Sequence, residues 1–391
     1  MAGSTTKAVV DDAIPLTPRL RAALDVVEVC AGREIDAAAL ATADILLVRS
    51  ITRVDEALLA NSPVRFVGSA TAGCDHIDLS WLSERGIVFA HAPGSNAQSV
   101  VEYVLSAVAL EKRLAALTQG ACVGIVGLGA IGSALASRVQ SIGGRVKAFD
   151  PWITRWPPSV ERVALEEIWR QPIVCLHADL HDRQPHPSRG LLDTDAAEML
   201  KASSRDSEPT ILISAARGEL IEPAAFSILL ESDCRLVIDT WPGEPDLSEA
   251  ALDKIAWITP HIAGHSVDAK YRGADMLAKA LERWSGKPSW AERCQDQIDD
   301  PVAIDIGGTD PDKVLEGWLA QATPIQREDR RLREQAAPDV SASIFDALRR
   351  SYQQPREWSG RGIGLTPDLI HLSPLAAKLG LSVVETTSRS T

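Results

Sequence analysis

Short apolar runs alternate with stretches of helical spacing over the first 93 residues. The runs that predict strands are Lys7–Val10, Ile45–Arg49, Arg65–Gly68 and Ile87–Ala90. Ser95-Asn96-Ala97 then opens a helix with one continuous apolar face, formed by Val100, Val101, Val104, Leu105 and Val108. The pattern predicts one small α/β unit, followed by a helix that carries the chain into a second domain.

A second alternation of strands and helices follows this helix. Its predicted strands are Ala121–Val126, Arg145–Phe149, Ile173–His177, Thr210–Ser214, Arg235–Asp239 and Ile255–Ile258. Strands separated by helices at this spacing pair in parallel through right-handed crossovers, which gives a doubly wound α/β sheet. A further long helix, Val267 to Trp284, could return the chain to the first domain.

The last hundred residues have a different character. Acidic, proline and glycine positions break the segment into shorter pieces, yet Val314, Leu315, Trp318 and Leu319 form a helical apolar face and Leu381–Val384 reads as a strand. Linkers seldom contain so many buried-type aromatics, so a third folded domain is expected. The predicted boundaries are residues 1–93 with about 266–286, then 94–265, then 287–391.

Composition and charge exclude several kinds of partner. The chain has 391 residues and a net charge of −13, which opposes binding to nucleic acid or anionic lipid. No apolar run reaches the roughly 20 residues of a membrane span, and the start does not resemble a secretion signal, so a cytoplasmic location is expected. The six cysteines are scattered singly, without the close pairs of a zinc site, and no metal is expected.

A glycine-rich turn follows the apolar strand that ends at Val126. Gly127-Leu128-Gly129-Ala130-Ile131-Gly132 has the spacing in which the three glycines permit a tight turn, close approach of a pyrophosphate and close helix packing. The following helix N-terminus offers free N–H groups to phosphates. Asp150 ends the next strand, eighteen residues after Gly132. A carboxylate there accepts from the ribose hydroxyls and repels a 2′-phosphate, so the pattern predicts NAD.

Three later strand ends carry the residue types that hydride transfer from a hydroxy acid requires. His261 is a base for the hydroxyl proton, and Glu244 can orient its imidazole. Arg217 offers a permanent planar cation for a carboxylate and a forming carbonyl. Asp239 is placed to face the nicotinamide ribose or carboxamide. Taken singly, each of these residues could have a purely structural role. Their occurrence together, after a dinucleotide-binding fingerprint, favours the catalytic interpretation.

These motifs resemble the D-2-hydroxyacid dehydrogenase family. The resemblance rests on Arg217-Gly218, Glu244-Pro245 and Pro260-His261-Ile262-Ala263-Gly264 behind the glycine turn. Closer features resemble one branch of that family and span nearly the whole chain: Val48 to Thr52, Gly68 to His76, Ala92 to Ala97, Val101-Glu102-Tyr103 and Arg356-Glu357-Trp358.

The resemblance implies a fold, a reaction and site residues. The fold is a Rossmann-type domain, a smaller flavodoxin-like substrate (lid) domain and an α+β C-terminal domain that makes a homodimer. The reaction is NAD-dependent oxidation of 4-phospho-D-erythronate to 3-hydroxy-2-oxo-4-phosphooxybutanoate in pyridoxal 5′-phosphate biosynthesis. Arg217, Glu244 and His261 are implied as the catalytic trio, and Asp150, Asp239 and Gly264 as NAD contacts. Ser50 and Thr71 are implied as substrate contacts.

Two positions depart from the family pattern. His177-Ala178-Asp179-Leu180 stands where His-Thr-Pro-Leu is expected, so one hydroxyl contact to the cofactor is missing. His265 stands where a tyrosine is expected, although an imidazole can still donate to a phosphate or hydroxyl of the substrate.

A phosphorylated substrate needs a second cation besides Arg217. Arg49 ends a strand beside Ser50 and Thr52, in a hydroxyl-rich loop suited to phosphate oxygens. The N–H groups around Ala72-Gly73 could hold the substrate carboxylate. The tail arginines Arg349, Arg350 and Arg356 are a weaker possibility, through a neighbouring subunit.

Two alternatives stay open at the level of sequence. One is a different D-2-hydroxyacid dehydrogenase, acting on 3-phosphoglycerate or glycerate, because the catalytic trio is shared. The other is a non-catalytic NAD-sensing protein that retains the fold, although the acidic charge and the lack of a basic run count against a nuclear role.

Overall fold

The computed structural model describes residues 5–204, 208–286, 302–304, 311–336 and 339–385. The chain forms two compact units: Met1–Asn96 with His265–Asp299, and Ala97–Gly264 with Asp300–Thr391. The helices are, in chain order, α1 Pro18–Ala22, α2 Glu56–Leu59, α3 Leu79–Glu84, α4 Ala97–Leu110, α5 Leu114–Thr118, α6 Ala130–Ser141, α7 Leu165–Ile168, α8 Thr194–Ser203, α9 Pro223–Leu230, α10 Glu249–Leu252, α11 Val267–Ser285, α12 Pro311–Ala322, α13 Ile325–Gln335, α14 Ala342–Arg350 and α15 Ser373–Leu379.

The first unit is a parallel five-stranded sheet with helices on both faces. Its strands are β1 Lys7–Asp11, β2 Val26–Cys30, β3 Ile45–Val48, β4 Phe66–Ser69 and β5 Val88–His91, in the order β2-β1-β3-β4-β5. This is the strand order of flavodoxin-like sheets. The carboxyl ends of β1, β3 and β4 therefore lie side by side at one edge. Strand β2 was not predicted from the sequence; it lies at the edge of the sheet, where Val26 and Val29 are exposed.

Helix α11 belongs to this first unit. It begins at Ser266, whose hydroxyl accepts from the Ala269 N–H at 2.9 Å, and ends at the left-handed Gly286. Its apolar face packs into the core that contains Phe66. A Cβ on Gly273 would lie 2.8 Å from the Ala70 carbonyl oxygen, so only glycine lets the helix approach the loop after β4 this closely.

The second unit is built on a seven-stranded sheet. Its strands are β6 Cys122–Val126, β7 Arg145–Phe149, β8 Glu161–Arg162, β9 Ile173–Leu176, β10 Ile211–Ser214, β11 Arg235–Ile238 and β13 Trp257–Ile258, in the parallel order β13-β11-β10-β9-β6-β7-β8. The chain order reverses between β6 and β9, the topological switch point at which open α/β sheets bind ligands. The Rossmann-type fold expected from the sequence is confirmed.

The described part of the tail packs into the same unit as this sheet. Trp318 and Trp358 are buried, with ring centroids 5.9 Å apart, in the core that also contains Val104. The Ser106 hydroxyl of α4 donates to the Leu319 carbonyl at 2.8 Å. The remaining strands are a pair formed by β12 Leu247–Ser248 and β15 Asp339–Val340, and a parallel sheet of β14 Val302–Ile304, β16 Arg361–Leu365 and β17 Ser382–Glu385. The separate third domain, 287–391, stays a prediction.

The buried carboxyl group of Glu102 in α4 forms a hydrogen bond with the tail. Glu102 Oε1 accepts from the Trp358 backbone N–H at 2.9 Å and from the Gln98 side-chain amide at 2.8 Å. The neighbouring Glu357 is also buried and accepts from the Ser99 hydroxyl at 2.8 Å. Burial, followed by the charge of Glu357, raises the pKa of Glu102 to about 8. Glu102 is therefore largely protonated in the folded protein at neutral pH.

The raised pKa predicts a pH-dependent stability. An acid that binds its proton more tightly when folded stabilises the fold fully at low pH, and that contribution is lost as the pH rises from about 4.5 to about 8. At about 1.4 kcal/mol per pKa unit, a rise from 4.5 to about 8 corresponds to a total loss on the order of 5 kcal/mol. Glu102→Gln keeps an amide oxygen for the Trp358 N–H. Urea unfolding at pH 5 and pH 8 should show a smaller decline for this variant than for the native protein.

The exposed Glu334→Gln substitution is the control and should leave the decline unchanged. An equal decline in Glu102→Gln and native protein would contradict the assignment.

Of the helices in the described ranges, none has the length and apolar character needed to span a bilayer.

Candidate active site

The glycine turn joins β6 to α6 at the switch point. Gly127 has φ +90°, and a Cβ there would lie 2.6 Å from the Ala178 backbone nitrogen. A Cβ on Gly132 would collide with the Gly127 carbonyl oxygen, which explains the close packing of helix and turn. Gly129, the residue before α6, faces open space. Ala130 and Ile131 form the first turn of the helix, so their N–H groups face an accessible position for a pyrophosphate.

Asp150 is fixed by the backbone on both sides of it. One carboxylate oxygen accepts from the Leu128 N–H of the glycine turn at 2.8 Å, and the other from Trp152 N–H at 2.9 Å and Ile153 N–H at 3.3 Å. The acid is thus held beside the turn before any ligand arrives. Remaining lone pairs can accept from ribose hydroxyls. This arrangement fits the adenosine part of NAD.

Two features around the cofactor turn were missed by the sequence reading. Trp152 is partly exposed directly after Asp150, with the Arg183 guanidinium 4.7 Å from its ring centroid. His177 is buried after β9, and neither ring nitrogen has a partner among the described residues. Burial lowers the pKa of His177 to about 4, so its ring is neutral at physiological pH. Ala178 supplies no hydroxyl at the position where the family pattern has one.

The three catalytic candidates follow three adjacent strands. Arg217 follows β10, Glu244 follows β11 and His261 follows β13, and these strands are neighbours in the order β13-β11-β10. Their carboxyl ends meet at one edge of the sheet because all of them are parallel. A Cβ on Gly218 would collide with the Trp241 backbone, so this glycine allows the loops after β10 and β11 to touch. Arg217 Nη1 donates to the Ala216 carbonyl at 2.9 Å.

His261 and Glu244 form a hydrogen-bonded pair. The distance from His261 Nδ1 to Glu244 Oε1 is 2.8 Å, and both side chains are partly exposed, at 31% and 20%. A carboxylate can only accept, so Nδ1 carries the proton and the neutral ring leaves Nε2 as its acceptor. The pair can take a proton at Nε2, and the adjacent carboxylate then stabilises the imidazolium.

Asp239 holds the loop that presents His261. Its buried carboxylate accepts from the Thr259 hydroxyl at 2.7 Å, the Ile262 N–H at 2.8 Å and the Ala263 N–H at 3.0 Å. Burial raises the pKa of Asp239, while the charge of His261 and these hydrogen bonds oppose the rise. His261 itself has φ +54°, which is strained for a residue with a side chain. The Asp239 bonds on either side of it keep this conformation in place.

This loop has further support that the sequence did not reveal. The Tyr103 hydroxyl of α4 lies 2.7 Å from the Thr259 hydroxyl. The Ile258 N–H donates to Asp329 of α13 at 2.9 Å. Trp241, next to the Glu244 loop, packs edge-on against Phe345 of α14, with ring centroids 5.6 Å apart. Gly264 ends the same loop. The prediction that Asp239 and Gly264 contact NAD stays a prediction.

The predicted substrate residues belong to the first unit. Arg49 directly follows β3, and its Nε donates to Asp11 Oδ1 at the end of β1 at 3.0 Å. Asp11 is fully buried, whereas a quarter of the Arg49 side chain is exposed. Ser50 is exposed, while the Thr52 hydroxyl is buried and donates to the Gly32 carbonyl at 2.7 Å. Arg49 therefore presents its remaining N–H groups from a fixed position.

The loop after β4 carries a network of short polar side chains. Ser69 Oγ lies 2.7 Å from Thr71 Oγ1 and 3.0 Å from His76 Nε2. The Thr71 hydroxyl donates to the Gly73 carbonyl at 3.0 Å. Ala72 and Gly73 are partly exposed. These bonds order the backbone whose N–H groups were predicted to bind the substrate carboxylate. His265 directly precedes Ser266, the N-cap residue of α11.

Lys270 was missed by the sequence reading. It lies in the first turns of α11 and is half-buried, and burial followed by the charge of Arg49 lowers its pKa, against the opposing charges of Asp11 and Asp12. Its ammonium therefore lies within electrostatic reach of Arg49, Asp11 and Asp12. The periodicity of α11 does not show which end of the helix lies near the carboxyl ends of β1 and β3. The sequence alone therefore could not indicate Lys270.

The three tail arginines differ in their surroundings. The Arg349 guanidinium lies 5.5 Å from the Phe345 ring centroid, Arg350 is exposed, and Arg356 lies against Gly360. No group of His, Cys, Asp and Glu side chains suited to holding a metal ion occurs within the described ranges.

Known proteins resemble the chain in sequence and in fold. The sequence profile described as "D-isomer specific 2-hydroxyacid dehydrogenase, catalytic domain" matches residues 8–297. An erythronate-4-phosphate dehydrogenase from Edwardsiella ictaluri is 38% identical over 358 residues, covering 90% of this chain and 93% of the relative. The enzyme of that name from Pseudomonas entomophila is 34% identical, with coverage of 96% and 98%.

Solved structures support the fold over a shorter span. The TT0316 protein from Thermus thermophilus has a TM-score of 0.61 at 24% identity, covering 73% of this chain and 98% of its own. An NAD⁺-bound 3-phosphoglycerate dehydrogenase from Entamoeba histolytica has a TM-score of 0.60 at 21% identity, with coverage of 73% and 98%. The profile match and the near full-length relatives agree. The chain belongs to the D-isomer specific 2-hydroxyacid dehydrogenase family.

Proposed function

We propose that the protein oxidises 4-phospho-D-erythronate to 3-hydroxy-2-oxo-4-phosphooxybutanoate with NAD, a step towards pyridoxal 5′-phosphate. The observation that carries the chemistry is the 2.8 Å pair of His261 and Glu244 beside Arg217, in the unit that contains the glycine turn. The substrate is supported by the near full-length relatives, which are named erythronate-4-phosphate dehydrogenases.

Arg217, His261 and Glu244 have different roles in the proposed oxidation. Arg217 binds the substrate carboxylate and polarises the oxygen at C2 through planar, permanently charged donors. His261 Nε2 accepts the hydroxyl proton, and Glu244 stabilises the resulting imidazolium at Nδ1. The hydride acceptor for C2 would be supplied by NAD bound at the glycine turn and Asp150. In the reverse direction His261 returns the proton to the carbonyl oxygen.

Asp150 supports the choice of NAD over NADP. Its carboxylate is held by three backbone N–H groups, so it cannot easily turn away from a ligand at the ribose. A 2′-phosphate there would bring two anions together, which is unfavourable.

Arg49 and Lys270 support a phosphorylated substrate. Asp11 neutralises only one charge of this cluster and is fully buried, whereas Arg49 and Lys270 are each partly exposed. A phosphate dianion near Lys270 would offset the effects of burial and of the Arg49 charge, which lower the pKa of its ammonium. Ser50 and the Thr71 loop would add neutral donors to the substrate.

This assignment predicts that Lys270→Met weakens the binding of phosphorylated substrates more than that of unphosphorylated ones. Loss of a charged hydrogen bond costs about 1.5–3 kcal/mol, so KM for 4-phospho-D-erythronate should rise roughly tenfold or more. KM for unphosphorylated D-erythronate should change much less. Steady-state kinetics with both compounds measures the difference.

Lys279→Met, an exposed position on the same helix, is the matched control and should affect neither KM. Equal increases for both substrates in Lys270→Met would contradict phosphate binding by Lys270. Arg49→Ala should show the same selectivity for the phosphorylated substrate.

A substrate panel tests the function itself. Purified protein should turn over 4-phospho-D-erythronate, followed as NADH formation with added NAD or, for NAD that stays bound, as consumption of a 2-oxo acid that reoxidises it. Faster turnover of 3-phosphoglycerate or glycerate would replace the proposed substrate. Binding of NAD with no turnover of any panel member would support the sensing alternative instead.

The assembly and the location are also part of the proposal. We infer a cytoplasmic homodimer formed through the tail, with residues 1–93 and about 266–286 as the substrate (lid) domain, 94–265 as the NAD domain and 287–391 as the dimerisation domain. Light scattering of the full chain should give twice its 42.0 kDa mass. A monomeric mass would refute the dimer.

A further inference from the structure

A cysteine and a histidine are paired in the first unit, apart from the residues assigned above. Cys74 Sγ lies 2.7 Å from His91 Nδ1. Cys74 is in the loop after β4, and His91 is the last residue of the neighbouring strand β5. Both residues are partly exposed, so small molecules in solvent can reach the pair.

The imidazole is positioned to take the thiol proton. Its ring is held by Phe89, with centroids 5.7 Å apart. Within the described ranges, His91 is partly exposed, and the one hydrogen-bond contact of its ring is through Nδ1 to Cys74. A thiol next to a histidine has a larger thiolate fraction than an isolated one, and the thiolate is the reactive form.

The other described cysteines have the opposite surroundings. Cys30 is partly exposed like Cys74, but burial and then the charges of Glu34, Glu28 and two aspartates raise the pKa of its thiol. Burial also raises the pKa of Cys122, Cys175 and Cys234. Cys294 lies outside the described residues. Cys30 is thus a built-in comparison at similar exposure, without an imidazole.

We propose that Cys74 and His91 form a thiol modification site for small electrophilic oxidants, with hydrogen peroxide as the test compound. His91 takes the thiol proton. The Cys74 thiolate attacks one peroxide oxygen, so an S–O bond forms while the O–O bond breaks. The leaving hydroxide takes the proton from His91 and departs as water. Sulfur loses two electrons and becomes a sulfenic acid, and the peroxide is reduced.

Oxidation at this position has a consequence for activity, which rests on the proposed function. Cys74 directly follows Gly73, whose backbone was assigned to the substrate carboxylate, and Thr71 is hydrogen-bonded to Gly73. A sulfenate adds an oxygen and negative charge beside a site for an anion. Oxidised protein should therefore bind substrate more weakly, and dithiothreitol should restore it.

Thiol labelling tests the site without depending on turnover. The intact protein is treated briefly with limiting iodoacetamide at pH 7, or with peroxide followed by dimedone, and each cysteine-containing peptide is quantified by mass spectrometry. Cys74 should react at least about tenfold faster than Cys30, given the larger thiolate fraction beside an imidazole. Equal rates for the two cysteines would overturn the proposal.

Variants separate the imidazole from simple exposure. His91→Gln should slow labelling of Cys74 several-fold without changing Cys30, whereas the exposed His371→Gln should change neither. An unchanged Cys74 rate in folded His91→Gln also overturns the proposal. Because the native comparison of Cys74 with Cys30 needs no variant, the proposal stays testable if His91→Gln folds poorly.

Activity measurements then test the consequence separately. Peroxide should raise KM of the native enzyme in step with Cys74 oxidation, and Cys74→Ser should resist this effect. Fast labelling with unchanged KM would refute the link to substrate binding while the reactive pair stands. If the proposed substrate is not turned over at all, the labelling rates still decide the modification site.

Discussion

His261→Gln is expected to lower kcat by about 10³-fold, within the 10²–10⁴-fold range that a positioned proton-transfer group contributes. The glutamine amide is similar in size to the imidazole but cannot accept a proton from the substrate hydroxyl near neutral pH. Because the lost interaction belongs to the transition state, kcat and kcat/KM should fall by similar factors. Steady-state assays with 4-phospho-D-erythronate and NAD measure both.

Cofactor binding distinguishes lost chemistry from lost structure. His261 lies in a loop fixed by Asp239, so the variant should keep its fold and its affinity for NADH, measured by fluorescence titration. His371→Gln is the control for removal of an exposed histidine elsewhere in the same unit. A His261→Gln enzyme with more than a tenth of native kcat would exclude this residue as the base.

The sequence was informative wherever local pattern and site chemistry coincide. The turn from Gly127 to Gly132 was predicted because tight turns and close helix packing require glycine at fixed spacing, and the left-handed Gly127 bears this out. The parallel sheet was predicted from buried apolar runs, and its geometry brings the ends of β10, β11 and β13 together. The 2.8 Å pair of His261 and Glu244 follows from that topology.

Contacts between distant segments could not be predicted in the same way. Asp329 is seventy-one residues from Ile258, and Tyr103 is 156 residues from Thr259, so neither spacing gives a local signal. The edge strand β8 was missed because Glu161 and Arg162 are exposed and form no apolar run, and the edge strand β2 was also not predicted. Lys270 looked like an ordinary charge on an amphipathic helix, and only the fold puts it in a cluster with Arg49.

In the described part of the second unit, the tail contacts the strand that leads to His261, the proposed base. Arg333 of α13 donates to the carbonyls of Leu252 and Ile255 at 2.7 and 2.9 Å, ahead of β13. Asp329 then accepts from the backbone N–H of Ile258 in β13, one residue before Thr259, the first residue that Asp239 holds. The strained backbone of His261 is therefore supported from two directions.

Glu244→Gln is the second substitution with a large expected effect, about 10²–10³-fold on kcat, as for removal of one preorganised electrostatic partner. The amide fills the same space at the end of the 2.8 Å contact with His261 Nδ1. It carries no charge to stabilise the imidazolium that forms during oxidation. It can also present its NH₂ group to Nδ1, which would select the tautomer with a proton on Nε2 and remove the acceptor.

The double variant decides whether Glu244 acts through His261. If the carboxylate works by orienting and stabilising the imidazole, removing it from an enzyme that already lacks His261 should cost little. His261→Gln with Glu244→Gln should therefore have nearly the kcat of His261→Gln alone, a strongly non-additive result for two residues in contact. Glu249→Gln, an exposed change nearby, should leave kcat unchanged in either background. Multiplicative losses would instead mean that Glu244 contributes independently of His261, through the substrate or the cofactor.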